Sequence, residues 1–149
     1  MSQQQIQHIN PDGMASNPAY SQGVVTYGNG KTIYVGGQNA VNELGEIVGK
    51  NDLSAQSIQA MQNVQAVLEA AGAGWNQVVK LTVYILQGND PVKAFQAAQS
   101  FLAKMPKPPA VTVVMVAGLG HPDWLLEIEA IAFKSEVAIV GAEELDHIR

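Results

Sequence analysis

The sequence contains no cysteine among its 149 residues. This absence excludes a disulfide framework, a thiol nucleophile, an iron–sulfur cluster and a zinc site with cysteine ligands. The three histidines, His8, His121 and His147, are isolated from one another and share no helix, so they do not form a zinc-binding motif. We therefore expect a protein that uses neither a metal ion nor a cofactor.

Charged side chains are also scarce, since they make up 14% of the chain whereas 47% of the residues are hydrophobic. This composition is typical of a globular protein, but it provides few charges for the surface of a monomer. We therefore expect part of the surface to be buried against other copies of the chain. The 8 basic and 13 acidic residues give a net charge of −5, which argues against binding to a nucleic-acid backbone.

Long apolar runs are absent as well, because no segment approaches the roughly 18 residues that cross a bilayer. The first nine residues are rich in glutamine and contain neither a basic residue nor an apolar core, unlike a signal peptide. We expect a cytoplasmic protein that does not contact membranes. The length of the chain is that of a single domain.

The spacing of apolar residues predicts the order strand, strand, helix, strand, helix, strand, strand. Both helices show apolar residues at steps of three and four and begin after a capping residue. The first two strands flank Gly28-Asn29-Gly30-Lys31, which is typical of a tight hairpin. The predicted elements are Val24–Tyr27, Thr32–Gly36, a helix from Ser54 to Ala71 capped by Asp52 or Ser54, Val78–Leu86, a helix from Asp90-Pro91 to Met105, Ala110–Ala117 and Leu125–Phe133.

A mixed sheet with two helices on one face accommodates this order and gives an α+β domain. Since the helices cover only one face, the other face would have to be buried by self-association. After the last strand the chain is harder to interpret. Residues Val137 to Val140 could add an edge strand, whereas Glu143 to Arg149 are typical of a frayed acidic end.

The last predicted strand carries two carboxylates. Glu127 and Glu129 are two positions apart and therefore share one face of the strand, opposite to Leu126 and Ile128. A solvated outer face would explain this pair. Alternatively, one carboxylate lies in a cleft, where burial raises its pKa and allows proton transfer to or from water.

Several aromatic residues allow two interpretations. Tyr20 follows Asn17-Pro18 and could either anchor a loop or line a cleft. The side chains of Trp75 and Trp124 are more typical of packing than of ligand stacking. The segment from His121 to Trp124 is typical of a turn between the last two strands, with His121 exposed.

Five short segments occur in the order in which similar segments occur in the Rid family (YjgF/RidA), the enamine/imine deaminases, which the chain thus resembles. They are Asn17–Gly23, Gly36–Gln38, Glu69–Gly72, Val79–Tyr84 and Leu126–Ala132, the last preceded by Pro109-Ala110 and a run of valines. The resemblance implies one Rid-like domain over residues 1–149, with a core over about 18–133 and an extension over 134–149. It further implies a chorismate-mutase-like protomer that assembles as a homotrimer around a central barrel, with ligand clefts between subunits.

The resemblance also implies roles for individual residues. In the family, the glutamate that matches Glu127 positions or activates the hydrolytic water, and the backbone near Gly37 lines the cleft. However, Val111 follows Pro109-Ala110 at the position where active members have an arginine that binds the substrate carboxylate. Each charge-assisted hydrogen bond of such a pair is worth about 1.5–3 kcal/mol. We therefore expect binding of a carboxylate ligand to be weaker by roughly tenfold to a thousandfold.

Further positions depart from the family. Gly36 replaces a serine, and Phe95 replaces a frequent asparagine of the second helix. One residue is inserted between Leu119 and Glu127, which implies a longer or differently shaped turn from His121 to Trp124. Lys107 could supply a replacement cation, although a lysine between two prolines is more simply a solvated loop residue.

Two kinds of function follow from these observations. The chain could be an imine or enamine hydrolase whose substrate is not a simple 2-imino acid, with Tyr20, Gly36, Gly37 and Val111 as substrate-binding residues and Glu127 as the catalytic residue. Alternatively, it is a non-catalytic trimer that binds or senses a small molecule. Ribonuclease activity or translation inhibition, from the family's older descriptions, is a minor alternative that the acidic net charge disfavours.

Overall fold

The computed structural model describes residues 5–136 of the chain, which form a two-stranded sheet, a four-stranded sheet and two α-helices. The elements in chain order are β1 (Ile6–Ile9), β2 (Gly23–Thr26), β3 (Gly30–Gln38), α1 (Leu53–Ala70), a 3-10 helix (Trp75–Gln77), β4 (Val78–Leu86), α2 (Pro91–Leu102), β5 (Ala110–Val116) and β6 (Leu126–Ser135). The predicted α+β class is confirmed. Neither helix combines the length and apolar character needed to span a membrane, as judged over the described residues.

The four-stranded sheet has the strand order β3-β6-β4-β5. β6 is antiparallel to both of its neighbours, whereas β4 and β5 are parallel and are joined through α2, as a parallel pair requires. Along β6, Leu126 and Ile128 are buried against the helices, while Glu127 and Glu129 are half-buried on the opposite face. The predicted alternation of this strand is therefore confirmed.

The predicted hairpin between the first two strands is wrong. β2 pairs with β1, whereas β3 pairs with β6 from Gly30 to Gln38, a stretch that includes Ile33 and Val35. This second pairing buries both side chains in the core, whereas β2 contributes no buried residue. A chain reversal does exist at Gly28, which has φ 82°, but it connects two different sheets.

α1 begins after Asp52, one of its two predicted capping residues, and α2 begins after its predicted capping residue Asp90. The Asp52 carboxylate accepts a hydrogen bond from the backbone N–H of Ala55 at 3.1 Å, and the Asp90 carboxylate accepts one from Val92 at 3.0 Å. The predicted strand over residues 78–86 has the observed bounds, and the other predicted elements after residue 50 differ by at most three residues at either end. The predictions for residues 137–149 lie outside the described part of the chain.

One face of the four-stranded sheet is covered by the helices, and we call the opposite face the outer face. On it lie Tyr34, Lys80, Thr82, Tyr84, Thr112, Val114, Glu127 and Glu129. In the single chain, Tyr34 is 76% exposed and Val114 is 39% exposed. This face therefore combines large apolar side chains with a group of polar ones.

Candidate functional site

The residues that the sequence singled out as site residues fall into two groups on opposite faces of the sheet. Tyr20 and Val111 line a cavity between the sheet and α2, which we call the helix-side cavity. Gly36, Gly37 and Glu127 lie together on the outer face. Within a single chain the sheet separates the two groups, so they do not form one continuous site.

Gly36 and Gly37 form a β-bulge on β3, which has one more residue than β6 between the paired positions Val35 and Gln38. A Cβ atom on Gly37 would lie 2.6 Å from Cδ of Glu127. Only glycine therefore leaves room for the Glu127 carboxylate in its observed position. By contrast, a Cβ atom on Gly36 would have no atom within 4 Å, so this position is open to solvent or a ligand.

Tyr84 and the two glutamates form a cluster beside this bulge. Tyr84 on β4 is paired with Glu127 on β6, and its hydroxyl donates a hydrogen bond of 2.9 Å to Oε1 of Glu129. This hydrogen bond, with desolvation and the negative charge of both carboxylates, raises the pKa of Tyr84. Tyr84 therefore remains a proton donor at neutral pH and holds Glu129 in place.

The carboxylate of Glu127 is arranged differently from that of Glu129. Within residues 5–136 no hydrogen-bond donor reaches it, although the side chain is half-buried. A carboxylate in this situation can accept a proton from a bound water molecule. Of the two glutamates, Glu127 is thus the better placed for acid–base chemistry.

Sequence reasoning missed Tyr84 and Lys80 as neighbours of the two glutamates. Lys80 Nζ donates a hydrogen bond of 2.6 Å to Oγ1 of Thr112, and it borders a groove of about 280 Å³ together with Glu129. The signal was present, because Lys80, Thr82 and Tyr84 alternate along β4. That alternation places them on one face, but the pairing of β4 with β6 was needed to connect them with the carboxylates.

The helix-side cavity has a volume of about 190 Å³ and lies between α2, β4 and β5. Its described walls are apolar apart from Tyr20 and Ser57, and Phe95 and Val111 contribute to them. The Ser57 hydroxyl donates a hydrogen bond to the carbonyl of Leu53 at 2.7 Å, so its proton is used within α1. No cationic side chain belongs to the described wall of this cavity.

Tyr20 is held at the cavity through its neighbour Ser21. The backbone N–H of Ser21 donates to the carbonyl of Pro109 at 2.9 Å, and its hydroxyl donates to the carbonyl of Pro108. Because that hydroxyl proton is used, the Ser21 oxygen accepts a hydrogen bond from Nδ1 of His8, at 2.9 Å. These contacts place Tyr20 beside the start of β5, where Val111 lies.

Burial lowers the pKa of His8, and the positive charge of Lys107 acts in the same direction, against a hydrogen bond with the Pro108 backbone. Lys107 itself is exposed, as expected for a solvated loop residue, and is not part of the described cavity wall.

The turn from His121 to Trp124 is present, closed by a hydrogen bond of 3.1 Å from the Trp124 N–H to the His121 carbonyl. The prediction that His121 is exposed is wrong. The side chain is half-buried, because its ring packs 5.7 Å from the Trp124 ring.

The packing role of Trp75 is confirmed, since its side chain is 4% exposed and donates a hydrogen bond to Gln65. In the described part of the chain, no group of three His, Asp or Glu side chains could hold a metal ion.

Comparisons with known proteins extend these observations. A family model described as endoribonuclease L-PSP matches residues 12–134. The chain is 40% identical over 116 residues to a RutC family protein of Pyrococcus abyssi, covering 77% of this chain and 86% of that protein. It is 37% identical over 117 residues to the 2-iminobutanoate/2-iminopropanoate deaminase of Escherichia coli, covering 77% and 87%. A solved structure of a protein of unknown function from the Rid family of Yersinia pestis has a TM-score of 0.77 at 34% identity, covering 86% and 98%.

Proposed function

Because the chain belongs to the endoribonuclease L-PSP family, which includes the Rid proteins, we propose that it hydrolyses an imine or enamine to a carbonyl compound and ammonia. The position of Glu127 carries this proposal. Its carboxylate is half-buried, lies beside the Gly36–Gly37 bulge and has no donor within the described chain. The similarity to a protein of Escherichia coli that is named as an iminobutanoate and iminopropanoate deaminase supports it.

In the proposed reaction Glu127 accepts a proton from water while the water oxygen forms a bond with the imine carbon. The π electrons of the C=N bond move to nitrogen, which takes up a proton from solvent, and a carbinolamine forms. Glu127 then returns the proton that it took from water to the nitrogen, and the C–N bond breaks with its electron pair leaving on ammonia. The hydroxyl group releases its proton to solvent, which completes the carbonyl group and restores the Glu127 carboxylate. General acid–base catalysis of this kind typically contributes about 10²–10⁴-fold to a rate.

The substrate differs from a simple 2-imino acid in our proposal. Val111 lies in the wall of the helix-side cavity, and no cation belongs to the described wall. A buried carboxylate without a partner is strongly unfavourable. The substrate is therefore neutral at this end, or its charge is bound elsewhere.

A complete site requires more than one copy of the chain. We place Glu127 of one copy opposite Tyr20 and Val111 of the next, in a homotrimer of chorismate-mutase-like protomers in which the outer faces are buried. The exposure of Tyr34 and Val114 in one protomer supports this arrangement. So does the separation of the two groups of site residues by the sheet.

The test is an assay on imines generated in situ from several amino acids and from their amides and esters, which have no free carboxylate. We expect the wild-type protein to accelerate hydrolysis of the neutral imines over buffer. Glu127→Gln should lower the rate by about 10²–10⁴-fold. Glu129→Gln is the matched control on the same strand and face, and it should stay within a few-fold of wild type. An intact oligomer that accelerates none of these imines would overturn the proposal.

The apolar lining of the helix-side cavity favours a second candidate function, a trimer that binds or senses a small molecule without catalysis. This candidate predicts thermal stabilisation by apolar compounds and no turnover of any imine. A ribonuclease or translation inhibitor is the least supported alternative, because the net charge of −5 opposes the approach of a phosphate backbone.

A further inference from the structure

The size of the helix-side cavity is informative about what it can hold. Protein cores are close-packed and rarely contain voids much larger than a water molecule. An apolar cavity of roughly 150 Å³ is sufficient to bind benzene. The cavity here, at about 190 Å³, is larger and can accommodate a substituted phenyl ring or an indole.

The chemistry of the walls selects against water and against charge. A water molecule in a cavity needs two to four polar partners, whereas the polar side-chain atoms in the described wall belong only to Tyr20 and Ser57. Ser57 already donates its proton to Leu53. A charged group would lose its hydration here without gaining a partner, so the cavity favours a neutral, apolar group.

The cavity is accessible from the surface on the side of Phe95. Ala19, Phe95 and Leu102 belong both to its wall and to a neighbouring surface groove of about 220 Å³. Phe95 is 46% exposed, so its ring lies at the entrance, whereas Ala98 is only 8% exposed and lies deeper. Tyr20 is half-buried. Its hydroxyl can donate a hydrogen bond to a ligand, whereas the Ser57 hydroxyl has already donated its proton to Leu53.

We propose that the helix-side cavity binds a neutral apolar group of about six to nine carbon atoms, phenyl or indole in size. The polar end of the ligand lies near Tyr20. The assignment of a substrate class rests on the proposed function. It identifies the substrates as imines that carry a large uncharged aromatic or branched aliphatic group.

The first experiment measures binding without any reaction. Indole and ethylbenzene are titrated into the full-length protein by calorimetry, with benzoate as a charged probe of similar size. We expect saturable binding of both neutral probes and at least tenfold weaker binding of benzoate. Failure of both neutral probes to bind, or equal binding of benzoate, overturns the inference.

Two variants locate the binding to this cavity. Ala98→Leu fills its wall and should weaken indole binding at least tenfold, whereas Ala66→Leu on the exposed side of α1 is the matched control and should leave binding unchanged. If Ala98→Leu fails to fold, Val111→Arg replaces it, since the guanidinium should weaken indole and strengthen benzoate binding. Unchanged indole binding in the folded variant overturns the inference.

Turnover assays separate this inference from the proposed function. If indole binds but no imine is hydrolysed, the cavity assignment stands and the proposed hydrolase activity fails. If imines with small groups are hydrolysed while indole neither binds nor inhibits, the hydrolase activity stands and the cavity assignment fails.

Discussion

At the scale of single residues, Gly37 and Glu127 depend on each other although they lie on different strands. An alanine at position 37 would place its Cβ 2.6 Å from Glu127 Cδ, so the carboxylate would have to move. Because displacements of about 1 Å can cost roughly 10²-fold in rate, we expect Gly37→Ala to lower the proposed imine hydrolysis by about tenfold to a hundredfold. The assay is the one described for Glu127→Gln.

The same substitution should change the free energy of unfolding by less than about 1 kcal/mol, because the flexible end of the glutamate can rotate away. Gly23→Ala is the matched control, since a Cβ at that strand position has no atom within 4 Å. Wild-type activity of Gly37→Ala would contradict the role of the bulge.

His8 makes the stability of the folded chain depend on pH. Burial lowers the pKa of His8 below its ordinary value of roughly 6.5. The unfolded chain therefore binds a proton at this residue more readily than the folded chain does. We expect the contribution of neutral His8 to the free energy of unfolding to be complete above a pH of about 6.5. This contribution is lost as the pH falls through the folded-state pKa.

Thermal unfolding of the wild type and of His8→Gln between pH 8 and pH 5 checks this expectation. The melting temperature of the wild type should fall on acidification, and the variant should show a smaller fall. Parallel curves for the two proteins would show that other groups cause the acid sensitivity.

At the scale of elements, one side chain of α1 connects this helix with the segment that leads into β6. Gln56 is fully buried, and its Nε2 donates to the carbonyls of Gly49 at 3.1 Å and Asp123 at 3.0 Å. Its Oε1 accepts a hydrogen bond of 2.9 Å from the backbone N–H of Leu125. The amide thus orders the turn immediately before Glu127.

We expect Gln56→Leu to lower the free energy of unfolding by about 2–5 kcal/mol, because each buried polar group left without a partner costs about 1–3 kcal/mol. Gln62→Leu, on the exposed side of the same helix, should change it by less than about 0.5 kcal/mol. Urea unfolding measures both values. Equal effects of the two variants would contradict the proposed connection.

The elements also show what the sequence could predict. Helix caps, helix periodicity and the alternation in β6 are local patterns, and these predictions are confirmed. The hairpin prediction was wrong because strand pairing depends on a distant partner. β3 is buried by pairing with β6, and no local feature near Gly28 indicates that pairing. β1 was missed because Gln7 and His8 interrupt any apolar alternation.

For the candidate site, local patterns placed Glu127 and Glu129 on one face, but not the neighbours of that face. The contact between Gly37 and Glu127 depends on the register of two strands that are far apart in the chain. The volume of the helix-side cavity depends on how α2 packs on the sheet, which the composition of the helix does not determine.

At the scale of the whole molecule, a charged substitution on the outer face tests the proposed assembly. Tyr34 is 76% exposed in one protomer, and a buried glutamate in its place would carry an unpaired charge. We expect Tyr34→Glu to dissociate the proposed trimer and to abolish the proposed imine hydrolysis, since the proposed site combines residues of two copies. Light scattering after size-exclusion chromatography gives the mass of the particle.

Leu44→Glu is the matched control, because Leu44 has the same exposure of 76% but lies in the loop between β3 and α1. This variant should keep the mass of the wild type. A Tyr34→Glu protein with wild-type mass and activity would contradict the burial of the outer face.

The position of β6 in the sheet has a consequence for synthesis on the ribosome. β6 lies between β3 and β4, yet it follows both of them in the chain. While the chain is being translated, β3 has no partner strand and β4 lacks one of its two partners until β6 emerges, and unpaired edges promote aggregation. A nascent chain that stalls before Leu126 therefore presents open edges of both strands to chaperones at the same time.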